Sequence, residues 1–255
     1  MVPVSTDGAG REEAAAPVLG GTLGIVSSGE HDRSIPHEFG GGRWFGDADA
    51  RHALGSLVGP YLPWGAGSMR PSGLVMVCNN IVLNDRRRVV ELGSGISTVL
   101  LSRLGAQLAP GGGFALVSVE HDERWADWVT RQLWRETGVH DSVVVRAPLG
   151  FHPRADGQVG WYDGAALAAG LDAAFGTALI DLLVVDGPPA FEAGMGTARA
   201  PALPVLWDRL APGATVVLDD IERPGEQEVL RRWEGEFDVV FTRHENAGVA
   251  IAHLP

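Results

Sequence analysis

From about residue 71 onward, apolar runs of five to seven residues alternate with longer stretches in which apolar positions recur every three or four residues. That alternation is the pattern of α/β architecture. Strands are predicted over residues 88–92, 114–120, 142–147, 180–186, 214–219, 237–242 and 248–253. Helices are predicted over 97–104, 123–136, 165–175, 200–210 and 226–234, with a further helix over 72–83 ahead of the first strand. The run Leu182-Leu183-Val184-Val185 has no polar interruption, so its strand is buried on both faces, as in a parallel sheet covered by helices. Such sheets bind ligands at the carboxyl ends of their strands. The residues that end the strands are therefore the ones to search for chemistry.

The first 64 residues have another texture. Glycine, acids and proline dominate, periodicity is weak up to Gly42, and aromatic residues enter only at Phe39, Trp44, Phe45, Tyr61 and Trp64. This reads as an extension or lid, partly flexible, with one short helix over 47–58. The chain is thus expected to divide into residues 1–64 and an α/β domain over residues 65–255.

The first strand runs Val89-Val90-Glu91-Leu92 into Gly93-Ser94-Gly95 and then into the helix that begins near Ser97 and Thr98. Glycines permit a sharp turn and close approach of a ligand to the backbone, and the helix start offers unpaired amides. An acid two residues before the turn, Glu91, suits a cationic group held there. The next strand ends in Glu120, 25 residues after Gly95, where a carboxylate can accept hydrogen bonds from ribose hydroxyls. A dinucleotide fingerprint would place a third glycine at position 98, which is Thr98, and this argues against a nicotinamide cofactor. Taken singly, Glu91 and Glu120 are also consistent with helix capping.

These residues resemble the class I S-adenosylmethionine-dependent methyltransferases, whose first motif is an acid, an apolar residue and Gly-x-Gly. The resemblance covers roughly residues 70–255. Val185-Asp186-Gly187-Pro188-Pro189, Trp161-Tyr162-Asp163 and Leu218-Asp219-Asp220 look like a bacterial subgroup rich in small-molecule O-methyltransferases. The third motif glycine is replaced by Ser97. The resemblance implies a Rossmann-like, seven-stranded, mostly parallel sheet with the last strand antiparallel and helices on both faces. It implies donor binding by Glu91, Gly93, Ser94, Gly95, Ser97, Thr98, Glu120 and Asp186, with His121 and Ala147 near the adenosine and Met69, Ser72 and Gly73 near the methionine end. It further implies methyl transfer, most readily to oxygen, on a small molecule or short peptide of specialised metabolism.

Asp186, Asp219 and Asp220 close two strands that are neighbours in such a sheet, so three carboxylates can converge. Hard oxygen donors with room for substrate and water suit Mg²⁺. The subgroup's metal-dependent members often carry a second acid two residues after Asp186, and Pro188 stands there. The same aspartates also fit a tight turn and a capped loop. Where no metal assists, a base is needed, and Asp186, His37, His152 and His244 are the candidates. Trp161 and Tyr162 suit a pocket wall, while Trp125, Trp128 and Trp207 suit helix packing. Arg70, Arg146, Arg154, Arg199 and Arg223 are candidate clamps for a substrate carboxylate.

Composition narrows the classes. All 20 cations are arginine, so Schiff-base, pyridoxal-phosphate, Walker-loop and protein-kinase chemistry lack their lysine. The net charge of −12 disfavours nucleic acid and anionic membrane as partners. The single cysteine, Cys78, allows no internal disulfide, and neither a membrane span nor a signal peptide is read, so a cytoplasmic protein is expected. A small-molecule or short-peptide acceptor and a second copy of the chain in a homodimer are the expected partners. Two rivals remain: an NAD(P)-dependent oxidoreductase on a similar sheet, and a non-catalytic binding protein of the same fold.

Overall fold

The computed structural model describes residues 46–59, 61–136, 141–156 and 160–255, all within one compact unit. Its sheet strands are β1 (Arg88–Leu92), β2 (Ala115–Glu120), β3 (Ser142–Arg146), β6 (Ile180–Val185), β7 (Leu210–Leu218), β8 (Thr242–His244) and β9 (Val249–His253). They pair in the order β3-β2-β1-β6-β7-β9-β8. Every pair from β3 to β7 is parallel, and β9 runs antiparallel to both neighbours. This is the seven-stranded, mostly parallel sheet expected from the sequence. β4 (Leu149–Gly150) and β5 (Trp161–Tyr162) form a separate short hairpin.

Period-two alternation divides the strand side chains between two cores. Val90, Leu92, Val117, Leu183, Val185 and Leu218 pack against α6 (Gly164–Phe175), α7 (Ala202–Leu206) and α8 (Pro224–Glu236). Val89, Leu116, Leu182, Val184 and Val217 pack against α3 (Pro71–Leu83), α4 (Ile96–Leu108) and α5 (Glu123–Arg135). The predicted helix over 47–58 is present as α1 (Asp47–Ala53) and α2 (Gly55–Val58). Leu54, Leu57 and Leu62 belong to the second core. No helix among the described residues is long and apolar enough to cross a membrane.

Two expectations need correction, and one element is new. The strand predicted over 237–242 begins only at Thr242. Phe237 packs against the first core and Val239 and Phe241 are part of it, but the Phe241 N–H donates to Glu234 Oε1 at 3.1 Å, leaving the segment outside the ladder. The helix predicted over 200–210 is α-helical only over Ala202–Leu206, tightens into a 3-10 turn over Trp207–Arg209 and ends where Leu210 joins β7. The β4–β5 hairpin was not predicted; two-residue strands carry too little alternation to stand out.

Candidate active site

Strand register assembles the site. Leu92 pairs with both Val119 and Val185, and Val185 pairs with Leu218. The next residue on each strand is Gly93, Glu120, Asp186 or Asp219, so these four form one row across the carboxyl edge. The ladder extends into that row, with Gly93 N–H donating to Val119 O at 2.9 Å, Asp186 N–H to Leu92 O at 2.9 Å and Asp219 N–H to Val185 O at 3.0 Å. With adjacent strands about 4.8 Å apart, the row spans roughly 14 Å.

Its Glu120 half is a cradle around the turn after β1. Gly93 has φ +92°, and a Cβ there would lie 2.9 Å from Gly187 N and 3.0 Å from Asp186 C. Only glycine lets the turns after β1 and β6 pack backbone to backbone. Glu120 Oε2 accepts the Ser94 N–H at 3.1 Å and the Ser94 hydroxyl at 2.9 Å. Glu120 Oε1 accepts the N–H groups of His121 and Asp122, each at 2.8 Å, and faces His121 Nδ1 at 2.9 Å. Burial alone would raise this carboxyl, but the bonds from His121, Asp122 and Ser94 outweigh it and hold it below the ordinary range. The hydrogen bond to Glu120 raises His121 in turn, against a smaller effect of burial.

Glu91 is fully buried beneath this turn. Its Oε2 accepts the hydroxyls of Thr98 and Ser118, the latter at 2.7 Å, while Oε1 has no partner. Burial pushes the carboxyl up, with the hydroxyls of Ser97, Thr98 and Ser118 opposing. Thr98 also accepts the Gly95 N–H at 2.9 Å. Thr98, which stands where a dinucleotide fingerprint would have a glycine, thus ties the start of α4 to the floor of the cradle.

The other half of the row holds the acids. One oxygen from each of Asp186, Asp219 and Asp220 lies within 4.8 Å of the others. Asp220, two residues past the end of β7, adopts φ +61°. Burial pushes Asp186 well above the carboxylate range and Asp219 up to about 6, each reinforced by a neighbouring aspartate. Burial also lifts Glu226, at the start of α8, to about 7. Arg199 lies among these groups and is only 3% exposed.

A family model described as a methyltransferase domain matches residues 90–221, just over half of the chain. The chain belongs to this methyltransferase family. It is a class I S-adenosylmethionine-dependent enzyme, and the matched segment runs from the end of β1 through the strand-end acids. No curated protein matches the sequence. Among solved structures, the Bacillus cereus O-methyltransferase in complex with S-adenosylhomocysteine is 15% identical, covering 81% of this chain and 90% of its own, with a TM-score of 0.53. The S-adenosylhomocysteine-bound Podospora anserina methyltransferase PaMTH1 is 12% identical, with coverage of 83% and 97% and a TM-score of 0.53. TomG, an O-methyltransferase from Streptomyces achromogenes involved in tomaymycin synthesis and solved with S-adenosylmethionine, is 19% identical, with coverage of 82% and 88% and a TM-score of 0.50. These likenesses are of fold.

Within this methyltransferase, the residues expected at the donor site fall into two groups. Glu91, Gly93, Ser94, Gly95, Ser97, Thr98, Glu120, His121 and Asp186 gather around the turn after β1, and Ala147 joins them through its N–H, which donates to Glu120 O at 2.8 Å. Ser72 is engaged elsewhere: its N–H and hydroxyl donate to Asp47 Oδ1 at 3.2 and 2.7 Å, so Asp47 caps α3. His244 ends β8, three strands from Asp186 in the sheet order or roughly 14 Å, and burial lowers its pKa. His152 lies beyond β4, its Nδ1 accepting the Arg154 N–H at 3.3 Å, and burial with the Arg154 charge lowers it. His37 lies outside the described residues.

Two aromatic readings change. Trp125, expected in helix packing, is 37% exposed and its indole N–H donates to Ser94 O at 2.7 Å, while its ring stacks on Trp128 at 4.8 Å. Nothing in the helical spacing of Trp125 marks this, because the partner is a carbonyl in another element. Trp161 and Tyr162 are each 2% exposed and belong to the core beneath the site rather than an open wall. The Tyr162 hydroxyl has no partner and would meet a Cβ placed on Gly187. The candidate clamps Arg70, Arg146, Arg154 and Arg223 are all paired with acids of the chain itself, namely Glu222, Glu123, Glu236 and Asp220.

Proposed function

We propose that the enzyme methylates an oxygen of a small molecule or short peptide, with the donor over the Gly93 turn and Asp186 as the group that takes the acceptor's proton. The single observation that carries this reading is the shared row: Asp186 adjoins Gly93 through neighbouring strands and the backbone contact that glycine alone permits. The association of TomG with O-methylation in tomaymycin synthesis supports oxygen as the acceptor atom and specialised metabolism as the setting.

The chain's residues fit the donor. Glu91 keeps one unpartnered buried oxygen, which favours a positively charged group nearby, and the Gly93 cradle would be filled by any side chain. Glu120 and Ser94 would hold the ribose hydroxyls, and Gly93, Gly95 and Ser97 the remainder near the start of α4. When bound, S-adenosylmethionine supplies a methyl group already activated on a sulfonium, so no lysine or thiolate of the protein is required. The chain has to align the acceptor, exclude water and accept one proton. A carboxyl whose pKa is raised is a stronger proton acceptor than an ordinary carboxylate, and burial raises Asp186.

Calorimetry with S-adenosylhomocysteine tests the donor half, and micromolar binding lost in Glu120→Ala is the expected result. A panel of phenols, catechols and hydroxylated peptides, read by mass spectrometry for one added methyl group, tests the acceptor half. With an accepted substrate in hand, Asp186→Asn should lower turnover on the order of a hundredfold or more while leaving S-adenosylhomocysteine affinity within a few-fold. Absence of any S-adenosylhomocysteine binding would overturn the reading.

A further inference from the structure

The acids at the strand ends already enclose a cation. Arg199 Nη2 donates to the Asp186 carbonyl at 2.6 Å, Nη1 to the Asp219 carbonyl at 3.2 Å and Nε to the Pro188 carbonyl at 3.2 Å. The same guanidinium lies 3.0 Å from Asp220 Oδ2, 3.6 Å from Asp186 Oδ1 and 3.6 Å from Glu226 Oε1. Arg223 Nη1 takes a second position on Asp220 Oδ2 at 2.6 Å. Thus the fork spans the turn after β6 and the turn after β7, bonding to backbone on both.

This arrangement does not fit a divalent ion. Mg²⁺ sits about 2.1 Å from its oxygen ligands, so an ion bound through Asp220 Oδ2 would lie within about 5 Å of Arg199 Nη2. Arginine does not lose its charge in proteins, and its three carbonyl bonds leave it no alternative place. Pro188, two residues after Asp186, contributes its carbonyl to Arg199 and has no side-chain oxygen for a metal.

We propose that Arg199 is the resident cation of this cluster, standing where a divalent ion would bridge Asp186 and Asp220, so that the enzyme works without a bound metal. Arg199 is then a positioning residue: it fixes the turn that presents Asp186 to the Gly93 loop and offsets the charge of the acids around it. The inference rests on the reading of Asp186 as an acceptor-side group, but its test does not depend on methylation.

The test is a titration of the full chain, freed of metal by EDTA dialysis, with MnCl2, following free Mn²⁺ by electron paramagnetic resonance. The wild type should show no site tighter than about 1 mM that Asp220→Asn removes. Arg199→Met, which keeps the apolar stem and deletes the charge, should bind one Mn²⁺ per chain about tenfold or more tightly than wild type, and adding Asp220→Asn should abolish the gain. Arg199→Gln replaces it if the methionine variant fails to fold by circular dichroism. A wild-type site tighter than 1 mM that Asp220→Asn abolishes overturns the proposal, as does a folded Arg199 variant that binds Mn²⁺ no better than wild type. Wild-type binding that survives Asp220→Asn belongs to other acids and agrees with it. Calorimetry with S-adenosylhomocysteine on the same preparation separates the two readings, since loss of donor binding would fault the proposed function and leave the metal result standing.

Discussion

Glu120 Oε2 accepts both the N–H and the hydroxyl of Ser94, so the carboxylate that ends β2 is bound to the turn that ends β1. Because both Glu120 oxygens are occupied before any ligand arrives, a ribose would exchange with the Ser94 hydroxyl rather than meet a bare charge. Charge-assisted hydrogen bonds of this kind contribute about 1.5–3 kcal/mol each. Glu120→Gln should therefore weaken S-adenosylhomocysteine binding by roughly 10- to 100-fold, measured by calorimetry. Ser94→Ala, which removes only the hydroxyl and keeps the backbone N–H on Glu120 Oε2, should cost less than Glu120→Gln; the reverse order would mean that Ser94, not Glu120, is the principal contact.

Gly93→Ala should damage stability and donor binding together. Its φ of +92° disfavours any side chain, and the added Cβ would press on Gly187 N and Asp186 C, backbone atoms that cannot rotate away. The expected loss is on the order of 1–3 kcal/mol, read as a lowered urea midpoint. An unchanged midpoint would show that the two turns do not pack as described.

Trp125 offers a spectroscopic handle. The indole donates to Ser94 O and stacks on Trp128, so any rearrangement of the donor turn should alter its emission. In Trp125→Phe, the S-adenosylhomocysteine-dependent fluorescence change should fall by more than half, and stability should drop by about 0.5–1.5 kcal/mol for the lost hydrogen bond. A full fluorescence response in the variant would assign the signal to one of the other tryptophans.

What could be read from the sequence, and what could not, follows from the range of each interaction. The strand over 180–186 was visible because burial on both faces writes the uninterrupted apolar run Leu182–Val185, and the strand over 88–92 because a short apolar stretch leads straight into a glycine turn. Gly93 and Glu120 were visible because a turn chemistry and a strand end both lie within a few residues. Arg199 appeared only as one of five loop arginines, since its importance depends on carbonyls 11 to 20 residues away in sequence and brought together by the sheet. The bonds of Ser72 and Trp125 were hidden for the same reason, their partners being Asp47 Oδ1 and Ser94 O in other elements. The three aspartates were correctly expected to converge; spacing alone could not disclose that an arginine converges with them.

Glu226 gives the acid cluster a measurable pH signature. Both carboxylate oxygens are buried without a hydrogen bond, and burial raises the group from 4.5 to about 7, against the attraction of Arg199 and Arg223. The folded chain therefore holds this proton across a range in which the unfolded chain has released it. Stability from this group is intact below the unfolded value near 4.5 and is lost as pH rises toward 7. Glu226→Gln mimics the protonated form and has no proton to lose. Near pH 4.5 to 5 the variant and wild type should unfold at similar urea midpoints; by pH 8 the variant should be more stable by about 2–3 kcal/mol. Comparing the two chains at each pH removes the opposing effect of His152, His244 and His253, whose lowered pKa values act equally in both. If the difference between the two chains does not change with pH, Glu226 is ionised throughout, and Arg199 is held by one more negative charge than its surroundings require.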